Sequence, residues 1–201
     1  PWLATAWEYN EDNTVLTLTL RDDVTFSDGS EMTADVVVEN LQRFKDGTSP
    51  DASYFANVDT FEAVDAGTVA INLVAPDPSM LNYLTRDAGL VASSEAIAAG
   101  DLATNPIGSG PYIYDAAASV PGTSYRYTAN PDYWNPDVQH YDELVINVLG
   151  DATAQLNAIR AGEANAVKVF SSENLAEIEG AGWTINSNEL DVASLLLMDR
   201  A

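Results

Sequence analysis

The chain has 201 residues, 46% of them hydrophobic and 9% aromatic, which is enough for one sizeable core or two small ones and too apolar for a disordered chain. Thirty-one acidic residues against eight basic ones give a formal net charge of −23, which repels phosphate backbones and anionic lipid and sets nucleic acid aside as a partner. Cysteine is absent, which removes disulfides, thiolate metal sites and cysteine nucleophiles; His140 is the only histidine, and no apolar run reaches the roughly 18 residues of a membrane span.

In chain order, Leu16, Leu18 and Leu20 alternate with threonines across residues 14–20, the period of a half-buried strand, after the turn-like NEDN. RDDVTFSDGS runs on extended and breaks at Asp28-Gly29. Ala34, Val37, Val38, Leu41 and Phe44 then fall on one helical face, with Thr33 at the N-cap position, Asp35 in the first turn, and Lys45 and Gly47 marking the end. GTSPDASYFANVDT reads as loop. TFEAVDAGTVAINLV reads as two strands about the Asp65-Ala66-Gly67 turn, with Val69, Ile71 and Leu73 on one face.

A short helix is expected from Pro78 and another over SSEAIAAG, capped by Ser93 or Ser94. YIYDAAA and TSYRYTAN, split by a proline-glycine turn, read as a second hairpin, and a strand follows at residues 144–149. Asp151 caps a helix that ends before Gly162. A strand near 166–170, a helix from Ser172 and strands at 183–188 and 192–198 complete the order, which is that of a mixed α/β chain.

The stretch NPIGSGPYIY decides between an enzyme and something else. A phosphate loop needs a lysine that is missing, and Pro111 removes an amide from any anion nest. A nucleophile elbow needs Gly-x-Ser-x-Gly, whereas Ser109 stands directly between Gly108 and Gly110. The expected role is structural, with glycines in the left-handed region or at a close backbone approach before a strand. His140 with Asp137 and Asp142 falls short of a metal-ligand count, and the acidic pairs lack the spacing of a calcium loop. Trp7, Tyr133 and Trp134 are expected as satellite core. Tyr54 lies in a loop where neither period explains burial, so it is a candidate ligand wall.

The motifs taken together resemble a family. PWLATAWEYNEDNTVLTLTLRDDVTFSDGSEMTADVVVENLQRF, VDAGTVAINLVAPDPSML, NPIGSGPYIY, NPDYWNPDVQHYDELVINVL and ATAQLNAIRAGEANAV follow the order of the N-terminal lobe of the family 5 extracytoplasmic solute-binding proteins, the peptide- and nickel-binding components of ABC importers. The resemblance implies one lobe of a two-lobed periplasmic-binding-protein-like (type II) clamp with mixed sheets and flanking helices. Residues 1–105 would be the inserted subdomain and 106–201 the main part of that lobe up to the hinge. The second lobe would lie outside the chain.

It also implies a non-enzymatic protein, periplasmic or on the cell surface, lipid-anchored and monomeric. Such a protein captures a peptide or other small solute without a cofactor and hands it to ABC permease subunits. Matched position by position, the ligand-binding residues would be Tyr54, Ser109, Lys168, Val169, Phe170 and Leu195, with no metal site. Lys168 could pair with a substrate carboxylate. The chain departs from the family pattern at Ala164 and Asn165, where a hydrophobic residue and an aspartate are usual. The opening PWLATAW without methionine and the closing SLLLMDRA read as cuts in a longer protein. A different class, a secreted hydrolase with paired carboxylates, would need two acids converging in a pocket, and no spacing singles out such a pair.

Overall fold

A computed structural model describes residues 2–168 and 175–185. It forms two compact units, 1–147 and 148–201.

The first unit is built on a four-stranded antiparallel sheet in the order β1-β2-β4-β3, made of β1 (Ala4–Tyr9), β2 (Val15–Leu20), β3 (Val58–Asp65) and β4 (Thr68–Leu73). The threonine–leucine alternation sends Leu16, Leu18 and Leu20 of β2 into the core, and Val69, Ile71 and Leu73 of β4 join them. Asp65 closes the β3–β4 turn, its carboxylate accepting the Gly67 N–H at 2.9 Å.

Helix α1 (Ala34–Lys45) packs on β3 and β4 through Val37 and Leu41. Thr33 caps it by accepting the Val36 N–H, and Arg43 and Lys45 sit in its last turn, where the helix dipole favours cations. Leu41 is 2% exposed, so its truncation to alanine would cost roughly 2–5 kcal/mol. Phe55 is the centre of an edge-to-face set, 5.6 Å from Phe44 and 5.2 Å from Phe61 between ring centroids.

Two short helices, α2 (Met80–Leu84) and α3 (Ser94–Ala99), follow. Ser93 caps α3, and Gly100 ends it at φ 74°. A second sheet, β5-β6-β7, comprises β5 (Tyr112–Val120), β6 (Ser124–Ala129) and β7 (Glu143–Asn147). Gly122, at φ 77°, makes the β5–β6 turn that the proline-glycine pair announces.

In the unit 148–201, α4 (Ala152–Arg160) begins at an Asp151 cap and buries Leu156 and Ala158, and α5 (Leu175–Gly180) buries Ile178.

Several expectations are corrected. β1, for which the sequence pattern announces no element, carries no clean alternation; its pairing with β2, Trp7 opposite Leu18, makes it a strand. Residues Pro50–Phe55 form a 3-10 helix with Pro50 in its first turn and Ser49 as cap, not a loop. α2 starts two residues after Pro78, at Met80, because Asp77 turns the chain by accepting the Ser79 N–H. The third strand of the second sheet ends at Asn147. Residues 166–168 and 183–185 carry no regular structure, and the remainders of those two expected strands, the strand at 192–198 and the start of the helix at Ser172 lie outside the described residues.

Candidate functional site

Tyr54 is placed by its neighbour. Phe55 is fully buried and anchors the 3-10 helix, which turns the adjacent Tyr54 half outward. There its ring lies flat on that of Tyr83 from α2, with centroids 4.5 Å apart and planes 6° from parallel. Such pairs are worth about 0.5–1.5 kcal/mol beyond their buried area. The Asp51 carboxylate beside the Tyr54 phenol raises its pKa above the ordinary tyrosine value, with partial burial adding to this and the Arg86 guanidinium opposing it.

The loop that carries Arg86 is tightly made. The Arg86 N–H donates to the Tyr83 carbonyl at 3.1 Å, and the Gly89 N–H donates to the Arg86 carbonyl at 3.1 Å. A Cβ on Gly89 would fall 1.9 Å from the Leu84 carbonyl oxygen, so only glycine closes this turn.

Arg86 also lines an open groove of about 540 Å³ in the same unit. Its other walls come from Trp2 and Trp7 of the β1 segment, Leu18 and Leu20, Val37 and Leu41 of α1, Leu81 and Leu84 of α2, and the Leu90-Val91 strip. Trp7 is 47% exposed and Leu90 74%, so Trp7 is groove wall and not the satellite core expected of it. No acidic residue is among the fifteen that line the groove.

Ser109 lies elsewhere, in a seam of backbone hydrogen bonds. The Ser27 N–H donates to the Gly108 carbonyl at 2.9 Å, the Ser93 N–H to the Ile107 carbonyl at 3.2 Å, and Ala92 and Gly108 form an antiparallel bridge. Asn40, buried in α1, clamps Ala92 from both sides, donating to its carbonyl at 2.8 Å and accepting from its N–H at 2.9 Å. Asn130 donates to the Gly110 carbonyl at 2.9 Å. Burial pulls the Asp28 carboxyl upward, but hydrogen bonds from Ser30 and Ser93 outweigh it and hold the pKa below the usual carboxylate value. Gly108 and Gly110 are not in the left-handed region, and a Cβ on either would meet nothing closer than 4.0 Å. The expected reason for the glycines is therefore corrected: their carbonyls stitch three segments together, and neither positive φ nor close approach is involved.

Tyr133 and Trp134 do pack inward. Trp134 meets Trp2 edge to face at 5.2 Å, and the Arg21 guanidinium, paired with Asp23 at 2.7 Å, stacks over its ring at 4.1 Å. Burial pushes the Tyr133 phenol above its ordinary value. Lys168 is exposed and belongs to the unit 148–201. Val169, Phe170 and Leu195 lie outside the described residues. His140 is exposed, and among the described residues no three His, Cys, Asp or Glu side chains gather as metal ligands.

The structure thus groups Tyr54 with Tyr83 and Arg86 and places Ser109 in a separate seam. Tyr83, Arg86 and Gly89 escaped the sequence reading. The one local hint was TRDAG, a cation and a glycine just past a short helix.

A model of bacterial extracellular solute-binding proteins, family 5 Middle, matches residues 1–191, and the chain belongs to this family of binding proteins, not enzymes. Among curated relatives, the glutathione-binding protein GsiB of Escherichia coli O157:H7 is 26% identical over 181 residues, covering 88% of this chain and 35% of its own length. Di/tripeptide-binding protein 1 of Pseudomonas aeruginosa (strain UCBPP-PA14) is 27% identical over 189 residues, covering 81% of this chain and 35% of its own length. The chain therefore spans about a third of the length of these relatives. Among solved structures, the PBP AgaA of A.tumefacien R10 in complex with agropinic acid superposes with a TM-score of 0.83 at 23% identity, over 90% of this chain and 37% of AgaA, which shows a shared fold.

Proposed function

We propose that the full-length protein is an extracytoplasmic substrate-binding protein of an ABC importer. It encloses a peptide or similar small solute between two lobes and presents it to the permease. The observation that carries this is the family match over residues 1–191, and the relatives named for glutathione and for di- and tripeptides support the solute class. A clamp of this kind works by differential affinity: a ligand touching both lobes stabilises the closed state, which the permease then distinguishes from the open one. The protein acts as a monomer held at the cell surface by a lipid anchor.

The residues of this chain that contact the solute are Tyr54, Ser109, Lys168, Val169, Phe170 and Leu195, the last three lying outside the described residues. Tyr54 has the geometry for it, since an exposed ring edge on a stacked pair offers flat apolar area that is already ordered. Native mass spectrometry of the gently purified full-length protein tests the reading. The expected result is a ladder of added masses fitting short peptides. A single adduct of another chemical class, or none after incubation with peptide mixtures, overturns the peptide assignment.

A further inference from the structure

We propose that Arg86 reads a carboxylate on the solute held at the Tyr54–Tyr83 wall, and so selects anionic ligands. The inference rests on the binding reading above and adds the chemical group that is recognised and the residue that recognises it.

Three observations converge on Arg86. The first is its rigid mount. Its N–H is tied to Tyr83, its carbonyl to Gly89, and the turn is closed by a contact that only glycine permits. The guanidinium therefore leaves from a fixed backbone beside a ring already stacked on Tyr54, and little freedom is lost when a ligand arrives.

The second is its scarcity and availability. The whole chain has eight basic residues. Arg21 is paired with Asp23, Arg126 with Glu143, and Lys45 donates to the Val58 and Asp59 carbonyls. Arg86 reaches the Tyr54 phenol, but among the described residues no carboxylate forms an ion pair with it, and the residue is exposed.

The third is the charge of its surroundings. In a chain with 31 acidic residues, the groove that Arg86 lines contains none. An anion approaching from that side meets apolar wall and one cation, with no opposing carboxylate. Asp51 is not among the groove residues; it shares the Tyr54 phenol with Arg86. The planar guanidinium fork matches a carboxylate with two parallel hydrogen bonds, a fit that an ammonium cannot reproduce.

The test uses the full-length protein and titration calorimetry with two probes, trialanine as the free acid and trialanine amidated at its C-terminus. The wild type should bind the acid about 10-fold or more tighter than the amide, as expected for loss of a hydrogen bond to a charged group. Arg86→Gln should bind both probes alike, and Arg86→Lys should keep only part of the preference. Thermal unfolding of both variants checks that the fold is intact. If Arg86→Gln retains the wild-type preference for the acid, the inference is overturned and the peptide reading stands. If the wild type binds neither probe, the peptide reading falls and this inference falls with it.

Discussion

Two regions of the first unit spend their polar groups in opposite ways. The seam joining residues 27–30, 92–93 and 107–110 closes on itself: backbone carbonyls, the buried Asn40 amide and the Ser93 hydroxyl all find partners within the protein. The wall made by Tyr54, Tyr83 and Arg86 leaves ring edges and a guanidinium facing outward beside an open apolar groove. A network of satisfied backbone groups specifies one arrangement, whereas an ordered surface with an exposed cation and no ion pair on it has a charge to offer a ligand. The difference distinguishes what holds the backbone together from what faces outward, and it fits the structural role expected of the glycine-serine-glycine stretch.

The contrast can be broken by mutation, and the largest effect is expected at the turn beneath the wall. Gly89→Ala drives a methyl group to 1.9 Å from the Leu84 carbonyl oxygen, so the backbone must shift. Overpacking of this kind costs roughly 1–3 kcal/mol or more. Thermal unfolding should show the loss, and ligand affinity should fall as well, because Arg86 and Tyr83 ride on the same turn.

Next comes Asn40→Ala in the seam, which strips the Ala92 N–H of its acceptor and should cost roughly 1–3 kcal/mol. Here the unfolding midpoint should drop with ligand affinity unchanged in the folded protein. A loss of affinity at full stability would show that seam and wall are not separable.

The smallest effect concerns pH. The Asp28 carboxyl titrates lower in the folded state than the roughly 3.9 of an unfolded aspartate. Its hydrogen bonds thus add stability that is fully present above that value and is lost as pH falls through the lower, folded one. Asp28→Asn should therefore flatten the acid limb of the stability profile. An acid limb identical to that of the wild type would show that Ser30 and Ser93 contribute nothing through this charge.

What was legible in the sequence was local. The period of β2, the face and caps of α1, the Asp65–Gly67 turn and the Asp151 cap each depend on residues within one turn or one strand, and all appear where the pattern places them. β1 was not legible, because an edge strand of mixed residues becomes a strand only through its partner β2. The 3-10 helix at Pro50–Phe55 was hidden by its turn-forming composition; burial of Phe55 against Phe44 and Phe61 is what orders it.

The candidate site was half visible for the same reason. Tyr54 stood out because no period explained it. Its partners Tyr83 and Arg86 lie some thirty residues away, where only the packing of two short helices reveals that they meet.

The most direct test of the account is amide hydrogen exchange on the full-length protein with and without bound peptide. The account predicts that ligand slows exchange in the segments 50–55 and 83–89 and leaves the Asn40–Ala92 clamp as it was. Unchanged exchange in both of those segments, with ligand demonstrably bound, would contradict it.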